Sequence, residues 1–114
     1  MNLQISTTSK SGYDLMEIKG EVDLYSSPNV RKAILELTTK ERPVIFIDLQ
    51  GVNYMDSSGV ATMIEGLQLC NKYHGVFALV GLGENVREVF ELTRLDKIFS
   101  IHKDLKSAVE AMVK

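Results

Sequence analysis

The sequence predicts a small α/β domain in which helices pack on a mixed, mostly parallel sheet. Three features lead to this fold class: an opening pair of strand-like segments joined by a turn, two short apolar runs further along, and about four stretches with apolar residues at helical spacing. Strands that alternate with helices pair in parallel, whereas the opening hairpin is antiparallel. We therefore expect residues 1–114 to form one domain with an N-terminal hairpin and about four helices.

The N-terminal segment has the pattern of a β-hairpin. Residues 3–8 alternate apolar and polar side chains, Lys10-Ser11-Gly12 supplies turn chemistry, and residues 13–19 resume a strand-like pattern. We expect Gly20 to end the second strand, since glycine interrupts regular strands.

The next two elements are predicted to be a helix and a buried strand. Ser27 is placed to cap a helix whose first position is Pro28, where a missing amide hydrogen costs nothing. One face of this helix carries Val30, Ile34 and Leu37. Residues 43–49 form a nearly continuous apolar run, which indicates a strand at the centre of a parallel sheet.

A second helix is predicted to follow a loop over residues 51–55. It begins at Asp56-Ser57-Ser58 and ends at Gly75, with Val60, Ile64 and Leu67 on one face. Residues 76–80 are a second buried strand.

The C-terminal part should contain two more helices around a short strand. Gly81-Leu82-Gly83 turns the chain into a helix, residues 99–102 form the strand, and Asp104 caps a terminal helix. The apolar faces of the two helices are Val86, Val89 and Phe90, then Leu105, Ala108, Val109 and Met112.

Composition argues against several classes of function. The formal charge is −2, and no segment clusters lysine and arginine with aromatic residues, so we do not expect nucleic acid as a partner. Cys70 is the only cysteine and allows no internal disulfide. The N-terminus lacks a signal-peptide pattern, and no apolar run approaches the roughly 20 residues that span a bilayer. We expect a cytoplasmic protein without direct membrane insertion.

The segment Asp56-Ser57-Ser58-Gly59 lies where a buried strand leads into a helix, the usual position of sites in α/β sheets. The first amides of that helix have no intrahelical acceptor, and the helix dipole favours an anion there. Phosphorylation of either serine would add about −1.5 to −2 charges at this point. The spacing alone favours a simpler role, in which Asp56 or Ser57 caps the helix and Gly59 eases the turn.

Other candidate sites are weaker. Cys70 and His74 lie one helical turn apart, but two ligands do not make a metal site, and we expect none. Ser57 is not part of a Gly-x-Ser-x-Gly elbow. Gly81-Leu82-Gly83 lacks the full glycine pattern and the lysine of a nucleotide loop, so a plain turn is expected there.

Three signatures that occur in order along the chain resemble those of the STAS domains, and in particular of the bacterial anti-sigma factor antagonists. They are Gly20-Glu21-Val22-Asp23 followed by Ser27-Pro28, then Ile47-Asp48-Leu49 followed by Tyr54-Met55-Asp56-Ser57-Ser58-Gly59, and finally Phe90-Glu91-Leu92-Thr93 before Leu95-Asp96-Lys97-Ile98. The resemblance covers nearly the whole chain and implies the mixed sheet predicted above.

The resemblance also implies a function and a set of site residues. Ser57, directly after the aspartate, matches the phosphoacceptor, and Asp23, Asp56, Ser58 and Gly59 match positions of the surrounding partner-binding motif. In such a cycle the unphosphorylated protein binds an anti-sigma factor that is itself a serine kinase, and a sigma factor is released. The kinase, which holds the ATP, ends the complex by phosphorylating Ser57, and a PP2C-type phosphatase restores it. The resemblance thus implies a binding protein that is not an enzyme and uses no cofactor.

Two other functions remain open at this point. STAS domains also serve as subunits of membrane transport complexes of the ABC type, where they act as interaction modules without phosphorylation. A small enzyme that uses Ser57 as a nucleophile is the third possibility, and it would require a general base beside that serine.

Overall fold

The computed structural model describes residues 3–113, and within that range the chain forms five strands, four α-helices and one short 3₁₀ turn. In chain order these are β1 (Gln4–Lys10), β2 (Tyr13–Val22), α1 (Ser27–Thr39), β3 (Val44–Met55), α2 (Ser57–Lys72), β4 (Val76–Val80), α3 (Glu84–Leu92), the 3₁₀ turn (Leu95–Lys97), β5 (Ser100–His102) and α4 (Leu105–Met112). None of the helices in this range is long and apolar enough to cross a membrane.

The five strands form a single mixed sheet in the order β1-β2-β3-β4-β5. β1 pairs with β2 in antiparallel orientation, and every later neighbouring pair is parallel. β3, which contains most of the apolar run at residues 43–49, occupies the centre. The predicted fold class is therefore confirmed, including the N-terminal hairpin and the four helices.

The two faces of the sheet are covered unequally, because successive side chains of a strand point to opposite faces. The larger core lies under α1, α2 and α3, where it includes Val30, Met63 and Phe90. A smaller cluster on the other face packs against α4 around Phe46 and Ala108.

The predicted face of α1 is confirmed, since Val30, Ile34 and Leu37 are all buried. On α2 the prediction is only partly right: Val60 is buried, but Met63 and Cys70 fill the core, and Ile64 and Leu67 are partly buried at its border.

The paired strands β2 and β3 are longer than the sequence predicts. β2 continues through Gly20 to Val22, and β3 continues to Met55 in place of the loop expected over residues 51–55. Two shifts in register interrupt the pairing, and Gly20 has a φ of 118°, which a glycine adopts without strain. These irregularities break the alternation of side chains, so the extension was hidden from a pattern analysis.

Two helix boundaries also differ from the prediction. Ser27 is the first residue of α1 and Ser26 occupies the cap position, so the predicted cap is wrong by one residue. α2 ends at Lys72, after which the Gly75 amide donates to the Cys70 carbonyl at 2.8 Å and closes the turn. The predicted cap of α4 is confirmed, since the Asp104 carboxylate accepts the Ser107 amide at 2.8 Å.

Candidate functional site

The residues predicted to form the site come together at one edge of the sheet. Parallel neighbours have their carboxyl ends at the same edge, so the segment after β2 lies beside the segment after β3. The first segment begins with Asp23 and the second with Asp56. The Asp56 amide donates to the Val22 carbonyl at 3.1 Å, which joins the ends of the two strands directly.

Asp56 fixes the start of α2 and ties it to the neighbouring loop. Its Oδ1 accepts the amides of Ser58 at 2.9 Å and Gly59 at 3.3 Å, which is the geometry of a helix N-cap. Its Oδ2 accepts the amide of Leu24, 32 residues away in the sequence, at 3.2 Å. A single carboxylate therefore links both segments of the site.

Asp23 folds the loop between β2 and α1 into a tight turn. Its Oδ1 accepts the amides of Tyr25 and Ser26, each at 3.0 Å, and the Ser26 hydroxyl at 3.1 Å. These contacts, with the hydrogen bond from the Ser26 amide as the largest, lower the pKa of the Asp23 carboxyl, so it carries its charge at neutral pH.

Ser26 is a site residue that the sequence analysis missed. It is buried, and its hydroxyl lies 2.7 Å from the Glu21 carbonyl and 2.9 Å from the Asp23 amide nitrogen. An aspartate followed by polar residues two or three positions later is a known turn pattern, and it could have indicated this loop.

Ser57 and Ser58 differ in their exposure. Ser57 is the first residue of α2 and is exposed, whereas Ser58 is half-buried. Within residues 3–113, no group of the chain forms a hydrogen bond with the Ser57 hydroxyl. Neither carboxylate forms a hydrogen bond with that hydroxyl. Asp56 accepts backbone amides, and Asp23 accepts backbone amides and the Ser26 hydroxyl. The Ser57 hydroxyl is therefore available to solvent, and residues 3–113 place no general base beside it.

Gly59 allows α2 to begin against the end of β2. A Cβ atom at this position would lie 2.6 Å from Met55 Cγ, 2.8 Å from Val22 Cγ1 and 3.0 Å from the Val22 carbonyl oxygen. The first two distances are shorter than Cβ contacts in folded proteins, so only glycine fits without a shift of the surrounding atoms. Gly59 thus determines how closely the serine loop approaches the neighbouring strand.

One electrostatic expectation needs correction. The sequence suggested that free amides in the first turn of α2 would bind a phosphate on the serine. In the structure, Asp56 already occupies the amides of Ser58 and Gly59. A phosphate on Ser57 would therefore find two of those amides already bonded to the Asp56 carboxylate.

Asp56→Ala should lower the free energy of unfolding by about 2 kcal/mol, since it removes a helix cap and a second, long-range hydrogen bond. Asp104→Ala is the matched control, because Asp104 caps α4 with a single amide contact and should cost about 1 kcal/mol. Urea unfolding measures both. Equal losses for the two variants would contradict the linking role of Asp56.

The other candidate positions do not form a site. Cys70 is buried, with its Sγ 3.3 Å from the Tyr73 hydroxyl, and burial raises the pKa of its thiol. His74 is exposed in the turn after α2. Within residues 3–113, no group of three or more potential ligands is arranged to hold a metal ion.

Comparison with known proteins identifies the family. The family model of the STAS domain matches residues 4–108. The chain belongs to the STAS-domain family. An anti-sigma-B factor antagonist of Listeria monocytogenes is 33% identical to this STAS domain over 84 residues, which is 74% of either chain.

Solved structures agree with this assignment. The crystal structure of an anti-sigma factor antagonist from Mycobacterium paratuberculosis has a TM-score of 0.89 and 26% identity, and the match covers 96% of this STAS domain and 93% of that chain. The Bacillus cell fate determinant SpoIIAA in its phosphorylated form has a TM-score of 0.73 and 18% identity, over 96% of this chain and 98% of that one. At that identity the second match reports the fold alone.

The three signatures of this STAS domain have different structural roles. The first two contain the loops held by Asp23 and Asp56. The third runs from the last turn of α3 into the connection to β5. Its Phe90, in α3, is buried and packs edge-on against Phe99 with ring centroids 5.4 Å apart. Its buried residues stabilise the core and do not contribute to the serine loop.

Proposed function

We propose that this STAS domain is an anti-sigma factor antagonist switched by phosphorylation of Ser57. The unphosphorylated protein binds an anti-sigma factor that is a serine kinase, and so releases a sigma factor. The observation that carries the proposal is the Ser57 hydroxyl, which is exposed at the start of α2 on a loop fixed by hydrogen bonds. The names of similar proteins, anti-sigma factor antagonists, support the same function.

The proposal assigns the chemistry of phosphorylation to the partner. Within residues 3–113, neither Asp23 nor Asp56 forms a hydrogen bond with the Ser57 hydroxyl, so no carboxylate of the site is positioned to deprotonate it. The kinase therefore brings both the ATP and the general base, and this protein is the substrate and not an enzyme. A PP2C-type phosphatase returns it to the binding form.

The fixed carboxylates also supply a physical reason for the switch. An interface that closes over a neutral hydroxyl must desolvate a phosphate once Ser57 is modified. Asp56 and Asp23 stand beside that phosphate with their own negative charge, and Asp56 already occupies the nearest helix amides. Desolvation and like-charge repulsion then act together to weaken the complex.

Incubation with the cognate kinase and ATP should add one phosphate, located on Ser57 by mass spectrometry. Ser57→Ala should abolish the modification, and the matched variant Ser58→Ala should retain it, since the Ser58 side chain is half-buried. Phosphate on Ser58 in the wild-type protein would place the switch one residue later.

Failure of phosphate transfer with the cognate kinase would overturn the phosphorylation switch. A stable complex with a transporter ATPase and no phosphate uptake would instead support the role of a subunit in a membrane transport complex. Ester hydrolysis by the isolated protein that is lost in Ser57→Ala would support an enzyme.

A further inference from the structure

Exposed apolar side chains concentrate around the serine loop. In residues 3–113, five large apolar side chains are exposed, and three of them lie within two residues of Asp23 or Asp56 in the sequence. These three are Leu24, Tyr25 and Tyr54, with exposed fractions of 65%, 80% and 50%. We call them the apolar rim. The other two are Leu92, the last residue of α3, and Ile98, in the connection from α3 to β5.

The apolar rim is held in place by the same hydrogen bonds that build the site. The Leu24 amide donates to Asp56 Oδ2 at 3.2 Å, and the Tyr25 amide donates to Asp23 Oδ1 at 3.0 Å. Tyr54 lies in β3, where it pairs with Glu21 of β2. Hydrogen bonds and strand pairing therefore fix the backbone in a conformation that exposes these side chains to solvent. Their exposure does not require a flexible loop.

A fixed group of exposed apolar side chains is typical of a protein-binding surface. Tyrosine is favoured in such surfaces, because its ring provides a large contact area with only two rotatable side-chain angles. Water must be removed from these side chains when a partner binds, and that removal stabilises the complex.

We propose that the apolar rim is the surface on which the serine kinase docks, and that it supplies most of the affinity of the unphosphorylated complex. This inference rests on the proposed function, since it names the binding surface of the same partner. Any kinase that reaches the Ser57 hydroxyl must approach the edge of the sheet where the rim lies.

The charges around the apolar rim describe the partner surface further. The ranges from Gly20 to Val30 and from Gln50 to Met63 contain no basic residue, and their acidic residues are Glu21, Asp23 and Asp56. A complementary kinase surface therefore has an apolar centre with basic groups at its border. Such a surface contacts the rim directly and pairs with the carboxylates around it.

The test compares dissociation constants of the full chain with its cognate kinase, measured by isothermal titration calorimetry without ATP. Tyr25→Ala and Leu24→Ala should each weaken binding by about tenfold or more, as hot-spot truncations do. Tyr25→Phe keeps the ring, so it should weaken binding much less than Tyr25→Ala does. Leu92→Ala is the matched control: its side chain is 78% exposed but lies outside the rim, and its binding should be unchanged.

All these variants should melt within about 2 °C of the wild-type protein, because exposed side chains contribute little to folding. The inference is overturned if Tyr25→Ala and Leu24→Ala bind like the wild-type protein while Ser57 is still phosphorylated. It is also overturned if Leu92→Ala weakens binding as much as they do. If the wild-type protein neither binds the kinase nor takes up phosphate, the proposed function fails, and the inference fails with it.

Discussion

Gly59→Val should lower the free energy of unfolding by about 3 kcal/mol, near the upper end of the effects of overpacking. A Cβ at Gly59 would lie 2.8 Å from Val22 Cγ1 and 3.0 Å from the Val22 carbonyl oxygen. The Val22 side chain is fully buried and its backbone is part of the sheet, so neither can yield. Replacement of glycine inside a helix usually gains helix propensity, by up to about 1 kcal/mol, but that gain is smaller than the expected clash.

The melting temperature of Gly59→Val should fall by about 12 °C in calorimetry, which follows from roughly 4 °C for each kcal/mol in a domain of this size. Gly83→Val is the matched control. Gly83 precedes α3 with a φ of −72°, and a Cβ there would meet nothing within 4 Å. The free energy of unfolding of Gly83→Val should fall by less than about 1 kcal/mol, because the only expected cost is that valine caps a helix less well than glycine. A melting temperature for Gly59→Val within a few degrees of the wild-type value would show that α2 does not begin against β2.

Periodicity in the sequence was sufficient to predict the fold, because each element buries one regular set of side chains. The run from Val76 to Val80 forms β4 with the predicted bounds, and Asp104 caps α4 as expected. The antiparallel hairpin and the central position of the strand at residues 43–49 were also predicted correctly. These properties depend on local patterns, which a single sequence contains.

The length of β2 and β3 could not be predicted, because it depends on their pairing with each other. Gly20 is a typical strand breaker, yet it lies within β2 opposite Val52 of β3. A positive φ at Gly20 and two register shifts accommodate the irregular pairing. The sequence shows only the breaks in the pattern and not the partner strand that compensates for them.

The position of the serine loop was predictable, but the function of each neighbouring residue was not. Its place between a buried strand and a helix indicated a site, and family resemblance selected Ser57 for the role of phosphoacceptor. The contact from the Leu24 amide to Asp56 joins residues 32 positions apart, and the burial of Ser26 is a property of the folded chain that no local pattern contains. The apolar rim was missed for the same reason, since only the structure shows which apolar residues are left exposed.

Phosphorylation of Ser57 should weaken binding to the cognate kinase by about 100-fold or more, equivalent to about 3 kcal/mol. The phosphate adds up to about two negative charges where Asp56 already bonds the first amides of α2. When the kinase is bound on the apolar rim, little water remains around the phosphate. The repulsion between the phosphate and the neighbouring carboxylates is then only weakly screened. Ser57→Asp should have a smaller effect of about tenfold, because it adds one charge and no phosphate volume.

The folded structure should tolerate both changes. Ser57 is exposed, and a negative charge at the start of a helix is favourable, so Ser57→Asp should melt within about 2 °C of the wild-type protein. Loss of binding together with a large fall in melting temperature would mean that the variant acts by unfolding the loop.

The most direct test of the switch is one pair of calorimetric titrations of the cognate kinase, with the unphosphorylated protein and with the same protein phosphorylated at Ser57. We expect tight binding for the first and a dissociation constant at least about 100-fold higher for the second. Equal dissociation constants for the two forms would contradict the account, because Ser57 could then not act as the switch.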